Sequence, residues 1–361
     1  MRLILMGTGP FAVPSFQGLR EQGHDVVAVV TRPEVPSANA KRPTPSSPVR
    51  SWAESCSLKV TSPASINSGE SIDWLQSLQA DLLVVCDYGQ ILSSECLSVS
   101  RLGGINLHGS LLPRHRGAAP VQWSILSGDQ NAGVSIIHMT PGLDAGPVIV
   151  QESTPIAPNE NAFQLESRLS TLGTKATLHA VDLLQKWNPA SAESIGLPQD
   201  KSQATKAPRL HKADGALAAD SPLRYLDRQI RGLYPWPGCY GNLIFPNGQS
   251  LRVIVHEARP LPIDIAPLPA SLKEGWDIGG LIYGEKAKQL QTHLTIPEEI
   301  SLGLVAIDGL LLLKSLQPAG KKQMTADEFL RGYSRMEWIR LAPPLEPNGL
   351  LTRMKLLEPA T

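Results

Sequence analysis

Gly104-Ile105-Asn106-Leu107-His108-Gly109-Ser110-Leu111-Leu112-Pro113-Arg114-His115-Arg116-Gly117-Ala118-Ala119-Pro120 opens with five residues of strand character and breaks at a glycine. Alternate strand residues share a face, so Asn106 and His108 project together while Ile105 and Leu107 turn into a core. A polar pair at the carboxyl end of a strand marks the edge where open α/β sheets bind ligands. Short apolar runs at residues 3–6, 26–30, 81–86 and 133–139 repeat the pattern on either side. A helix is predicted over residues 11–20, with Pro14 tolerable only in its first turn. Continuous apolar runs separated by helical stretches predict an α/β fold: a doubly wound, mostly parallel, Rossmann-like sheet covered on both faces.

Beyond residue 187 the character changes. Residues 187–206 hold Asn188-Pro189, Gly196 and Pro198 with little apolar periodicity, which is linker chemistry. A helix candidate at 222–233 precedes short strands. Residues 242–245 and 251–256 flank Pro246-Asn247-Gly248, a hairpin signal, and 305–307 and 310–316 flank Asp308-Gly309. Residues 261–276 are proline-rich and read as a surface loop. The expected division is 1–187 for a catalytic domain, 188–206 for a linker, 207–340 for a small β-barrel and 341–361 for a tail.

The 361 residues favour two domains. Lys+Arg and Asp+Glu both number 33, so the overall balance implies no strongly charged partner, although local patches can hide in it. Cys56, Cys86, Cys96 and Cys239 form no CxxC pair, which points to a reducing compartment without a disulfide framework. The amino terminus is too short in apolar residues for a secretory signal, and no run approaches the ~20 needed to span a membrane. The expectation is a soluble cytoplasmic protein, monomeric, with no membrane association. Gly7-Thr8-Gly9 follows a strand as in dinucleotide sites, but Ala12 and Pro10 break that pattern. His138 reads as a satisfied core histidine. No His or Cys spacing fits a metal, and none is expected.

Thr140-Pro141-Gly142-Leu143-Asp144-Ala145-Gly146-Pro147 is a turn that could bring a carboxylate to the edge carrying Asn106 and His108. Asn, His and Asp together suit acyl transfer to an amine. An α-amino group, with a pKa near ~7.7–8.0, needs little activation. The demand lies in the oxyanion and in the proton that must leave the incoming nitrogen. An amide N–H and an imidazolium N–H can hold the oxyanion. A carboxylate would keep the imidazole charged and relay the proton through water. The residues alone leave structural roles open: Asn-x-His on a strand can be packing, and Asp144 a turn former.

Ile105 to Pro113, Arg116-Gly117-Ala118-Ala119-Pro120 and Gly142-Leu143-Asp144 closely resemble the core of the 10-formyltetrahydrofolate-dependent formyltransferases. The resemblance implies catalytic roles for Asn106, His108 and Asp144. It also implies a folate site lined by Ser110, Leu111, Leu112 and Pro113. Tyr88-Gly89-Gln90-Ile91-Leu92 looks like the segment lying along the pterin. The second half resembles the branch that acts on methionyl-initiator tRNA, through Tyr234-Pro235-Trp236-Pro237, Leu316-Gln317-Pro318-Ala319-Gly320-Lys321-Lys322-Gln323-Met324 and Asp327-Glu328-Phe329-Leu330. It covers residues 1 to 335 and implies an oligonucleotide-binding type of barrel. A formyltransferase for an amino sugar nucleotide is the alternative.

Local charge agrees with an RNA partner. Residues 200–260 hold nine Lys/Arg against five Asp/Glu, and residues 31–50 hold four against one. Candidate tRNA contacts are Lys41, Arg42, Arg209, Lys212, Lys321 and Lys322. The 31–50 loop has Ala38-Asn39-Ala40 where the resembled pattern carries Gly-Arg-Gly, so Lys41 or Arg42 is expected to take the contact. Three further departures stand out. Gly9-Pro10 replaces a usual Pro-Asp, Lys206-Ala207-Pro208 replaces Tyr-Ala-Pro, and Asp87 takes the place of a small residue.

Overall fold

The computed structural model describes residues 1–34, 46–190, 194–245, 247–273, 276–296, 298–333, 340–344 and 349–358. Lys41 and Arg42 lie outside them. The chain divides into two compact units. One comprises Met1–Val121, Gln130–Ile156 and Gln164–Pro208; the other comprises Gln122–Asp129, Ala157–Phe163 and Arg209–Thr361.

The first unit holds β1 (Arg2–Gly7), α1 (Val13–Glu21), β2 (Asp25–Val30), α2 (Pro48–Ser55), β3 (Val60–Thr61), α3 (Gly69–Ser77), β4 (Leu82–Cys86), α4 (Ser94–Leu97), β5 (Gly104–His108) and β6 (Arg116–Gly117). Next come α5 (Pro120–Ser127), which the division assigns mostly to the second unit, then β7 (Asn131–His138), β8 (Val148–Pro155), α6 (Ala162–Lys186) and β9 (Lys206–Ala207). The sheet order is β3-β2-β1-β4-β5-β7-β8. The chain leaves β1 toward β2 and returns on the other side as β4, so the order reverses between β1 and β4. Ser47, Ser68 and Ser93 cap α2, α3 and α4 by accepting a backbone N–H three residues on, as serine at that position should.

Strand alternation sorts the core. Ile4, Met6, Ala28, Val30, Leu83 and Val85 pack with Ile72, Leu75 and Leu97 of α3 and α4 on one face. On the opposite face α6 buries Leu165, Leu169, Ala176, Ala180 and Leu184 at helical spacing. Gly173 lets this helix approach β5 closely, because a Cβ there would lie 2.9 Å from Leu107 Cδ2. Leu107 therefore faces α6. The register that pairs Val85 with Asn106 turns Asn106 and His108 to the other face.

Strands β1 to β5 are parallel, but the run read at 133–139 is not. β7 pairs with both β5 and β8 antiparallel. Only residues 139–147 join β7 to β8, too few for a parallel crossover. His138 Nε2 lies 2.9 Å from the Leu102 carbonyl and its ring meets Trp187 edge-on, a satisfied histidine. Part of the stretch read as a linker is fastened. Leu197 and Val148 exchange backbone hydrogen bonds of 2.8 Å, and β9 pairs with β6.

The second unit contains α7 (Leu223–Gly232), β10 (Cys239–Ile244), β11 (Ser250–Pro262), α8 (Ala270–Lys273), β12 (Leu281–Tyr283), α9 (Gly284–Leu294), β13 (Leu302–Ala306), β14 (Gly309–Pro318), β15 (Met324–Thr325), α10 (Ala326–Tyr333), β16 (Arg340–Leu341) and α11 (Leu350–Leu357). Its antiparallel sheet runs β12-β13-β14-β11-β10-β16, with β15 beside β14. Bulges around Glu257 bend β11. The sheet curls until Gly279 bridges its ends, donating to Val305 O at 2.9 Å and accepting from Leu341 N at 2.7 Å. This is the small barrel-like architecture expected. Residues 261–276 differ from the surface loop expected of them, because Ile263, Leu268 and Leu272 are buried in a core with Ile282, Leu290 and Leu312. The prolines had masked that apolar spacing. The tail is helical over α11, where Leu350 and Met354 are buried, Arg353 pairs with Asp214, and Glu358 accepts from Tyr225 Oη at 2.7 Å. Among the described residues no helix is long and apolar enough to cross a membrane.

Candidate active site

β5 ends in the site. Asn106 is half-buried and His108 buried. The His115 backbone is left-handed, with φ of 62°, and its carbonyl oxygen lies 2.9 Å from His108 Nε2. A carbonyl only accepts, so Nε2 carries a hydrogen and Nδ1 is the nitrogen that gains and loses a proton. Nδ1 faces Asp144 Oδ2 at 3.7 Å, within ion-pair reach but longer than a hydrogen bond.

Asp144 arrives by a route that the sequence does not announce. Because β7 runs antiparallel to β5, His138 pairs with Ile105, and the turn after β7 starts at the amino end of β5. The 140–147 loop must fold back to reach His108. Three contacts hold it there. Asp144 Oδ2 accepts from Gly117 N at 2.9 Å. Gln199 Nε2 donates to the Asp144 carbonyl at 2.8 Å and to the Gly146 carbonyl at 2.7 Å. Arg116 fixes Gln199 by donating from Nε and Nη2 to its Oε1 at 3.0 and 2.6 Å. Asp144 itself sits at φ of 48°, a left-handed backbone that Asp tolerates better than most residues. Gln199 and Arg116 thus hold the Asp144 loop in place; reading the sequence missed Gln199 and quoted Arg116 without this contact. Gln199 lies in the polar stretch taken for a linker, where nothing local marks it.

The 110–114 loop is pinned from beneath. Ser110 Oγ donates to the Arg114 carbonyl at 2.6 Å and Ser135 Oγ to the Ser110 carbonyl at 2.7 Å. Leu112 N donates to Ser135 Oγ at 3.0 Å, and Gln151 Nε2 to the Leu112 carbonyl at 2.9 Å. Ser110 and Leu112 are buried, while Leu111 and Pro113 are half-buried. Of the segment after β4, Tyr88 and Leu92 point into the core. The Tyr88 hydroxyl has no hydrogen-bond partner among the described residues, and burial pushes its pKa up. Gln90 is turned inward, accepting from Ile66 N at 2.9 Å. Gly89 and Ile91 face outward, Ile91 at 68% exposure.

In the second unit, Arg209, Lys212, Lys321 and Lys322 are all exposed. Among the described residues no group of three or more His, Cys, Asp or Glu could hold a metal ion.

A family model described as formyl transferase matches residues 1–181, and one described as formyl transferase, C-terminal domain, matches residues 209–334. Methionyl-tRNA formyltransferase of Rhodopirellula baltica is 43% identical over 338 residues, spanning 92% of this chain and 94% of that protein. The protein of the same name from Moorella thermoacetica is 35% identical, spanning 92% of this chain and 96% of its own. Among solved structures, WlaRD, a sugar 3N-formyl transferase, superposes with a TM-score of 0.56 at 14% identity, covering 89% of this chain and 99% of its own. HypX from Aquifex aeolicus superposes at 0.57 and 11% identity, covering 93% of this chain and 49% of its own. At such identities these structures share the fold alone.

Proposed function

The chain belongs to the formyl transferase family, and we propose that it transfers the formyl group of 10-formyltetrahydrofolate to the amino group of methionyl-initiator tRNA. The observation that carries this reading is identity of 43% with a methionyl-tRNA formyltransferase over both halves of the chain. The amine nitrogen attacks the formyl carbon and forms the new C–N bond. The carbonyl electrons move to oxygen, where Asn106 Nδ2 and the protonated Nδ1 of His108 donate to the oxyanion. With Nε2 held by the His115 carbonyl, only Nδ1 of the imidazole is available for this. The oxyanion then collapses, the bond to the folate nitrogen breaks, and that nitrogen takes a proton. Asp144, beside Nδ1, accepts the proton from the attacking nitrogen through water and returns one to the leaving nitrogen.

The pinned backbone from Ser110 to Pro113 and the outward Gly89 and Ile91 suit the folate. Tyr88, Gln90 and Leu92 support that wall from behind. Arg209, Lys212, Lys321 and Lys322, with Lys41 and Arg42, supply phosphate contacts, so binding weakens as salt rises. A substrate of this kind places the enzyme in the cytoplasm, acting as a monomer without a metal.

The test is formylation by purified protein supplied with 10-formyltetrahydrofolate and charged initiator tRNA, with charged elongator methionyl-tRNA as comparison. Rapid, salt-sensitive formylation of the initiator is expected. Turnover of an amino sugar nucleotide with none of either tRNA would overturn the reading.

A further inference from the structure

We infer that Thr205 is a positioning residue for formyl transfer: it holds the His115 carbonyl on Nε2 of His108 and so decides which imidazole nitrogen faces the reacting carbon. Thr205 grips the peptide bonds on both sides of His115. Its hydroxyl Oγ1 accepts from the His115 N–H at 2.9 Å, and its carbonyl accepts from the Arg116 N–H at 2.9 Å. The Arg116 N–H and the His115 carbonyl belong to one planar peptide and point in opposite directions. Fixing the N–H toward Thr205 therefore aims the carbonyl the other way, where His108 Nε2 stands 2.9 Å from it. Between the two peptides the His115 backbone is left-handed, with φ of 62°. A residue with a side chain keeps that conformation only where its surroundings hold it, and the Thr205 hydroxyl is part of that hold.

A neutral imidazole carries one ring hydrogen, and two acceptors compete for it here. Asp144 Oδ2, 3.7 Å from Nδ1, draws the hydrogen there, while the carbonyl, at hydrogen-bond length, claims it for Nε2. Thr205 settles that contest by keeping the carbonyl in place, which also stops the ring from turning. The same pairing aims Asp144. Arg116 lies opposite Lys206 and Gly117 opposite Ala207 in the β6–β9 ladder. Backbone groups of successive strand residues alternate sides. The Arg116 and Ala118 N–H groups thus turn to the Thr205 and Ala207 carbonyls, and the Gly117 N–H turns away to Asp144 Oδ2 at 2.9 Å. The consequence for turnover rests on the formyl-transfer reading; the position of the ring hydrogen does not.

The experiment compares the full chain as wild type, Thr205→Val and Thr205→Ser. Valine keeps the shape and removes the acceptor for the His115 N–H, whereas serine keeps the hydroxyl. Formylation of methionyl-tRNA by Thr205→Val is expected to fall about tenfold in kcat, with KM for both substrates nearly unchanged. Thr205→Ser should recover to within about threefold of wild type. Nitrogen NMR of histidine-labelled protein in alkaline buffer, where imidazole is neutral, reads the ring hydrogen directly, with His108→Gln identifying the His108 signals. The hydrogen is expected on Nε2 in wild type and Thr205→Ser, and shared with Nδ1 in Thr205→Val. If Thr205→Val does not fold, Thr205→Ala, which also lacks the hydroxyl, takes its place. A hydrogen on Nδ1 in wild type overturns the proposal. So does a folded variant without the hydroxyl that keeps either its kcat or the hydrogen wholly on Nε2, and so does a loss that serine fails to restore. Wild type that formylates no methionyl-tRNA would sink the functional reading, while a ring hydrogen that leaves Nε2 with the hydroxyl would still support this one.

Discussion

Replacing Gln199 by Ala should cripple catalysis without touching a residue that meets substrate. Its amide donates to the carbonyls of Asp144 and Gly146 at 2.8 and 2.7 Å, and its oxygen anchors Arg116. Each neutral hydrogen bond is worth a net ~0.5–1.5 kcal/mol, so losing both donations removes about 2 kcal/mol from the folded-back state of the 140–147 loop. That is a factor of about 30 in the ratio of folded-back to open loop. The Gly117 N–H remains on the Asp144 carboxylate, so the loop is loosened rather than released. The expected outcome is a fall in kcat of up to about 30-fold, with the KM for the formyl donor nearly unchanged. Gln199→Glu is the control, since it keeps the acceptor for Arg116 but loses both donations, and should lose kcat as Gln199→Ala does. Steady-state kinetics with saturating tRNA measure this. If Gln199→Ala keeps kcat within about twofold of wild type while Asp144→Ala abolishes turnover, the loop does not depend on Gln199 and the positioning argument is wrong.

Removing one oxyanion donor in Asn106→Ala should lower kcat by ~10²–10³, with little change in Tm because the side chain is only half-buried; single-turnover kinetics and thermal melts together check it. Glu166 has its carboxyl pKa raised in the fold by burial and by Asp87, so its ionisation opposes folding. That loss sets in as pH rises through the ordinary carboxylate range, near ~4.3, and is complete above the raised value. Glu166→Gln should therefore raise Tm at neutral pH, the gain vanishing in acid, and an equal gain at all pH values would refute the linkage. Arg353→Ala strands the buried Asp214 carboxylate and should cost ~3–5 kcal/mol in chemical denaturation. A loss under 1 kcal/mol would show that the carboxyl protonates or finds water.

Asn106 and His108 could be read as a pair because strand periodicity is local: two residues along a strand return to the same face whatever the rest of the chain does. The hairpins around Asn247-Gly248 and Asp308-Gly309 were readable for the same reason, since a short turn settles its own strand pairing. The apolar runs of β1, β2, β4 and β5 announce a sheet covered on both faces. Each of these rests on interactions between residues near one another in the chain.

Everything concerning Asp144 beyond its identity needed the folded chain. Strand direction is set by pairing between segments far apart in sequence, so the antiparallel run of β7, and the doubling back of its loop, leave no local mark. Gln199 reaches that loop from 55 residues along the chain, and the buried core under the prolines of 261–276 assembles from five separate elements, α8, β12, α9, β13 and β14. The Nε2 hydrogen of His108 is settled by a carbonyl seven residues away that only a left-handed backbone turns toward it. Long-range packing and backbone reversal depend on which surfaces find each other, and a one-dimensional pattern does not encode that choice residue by residue.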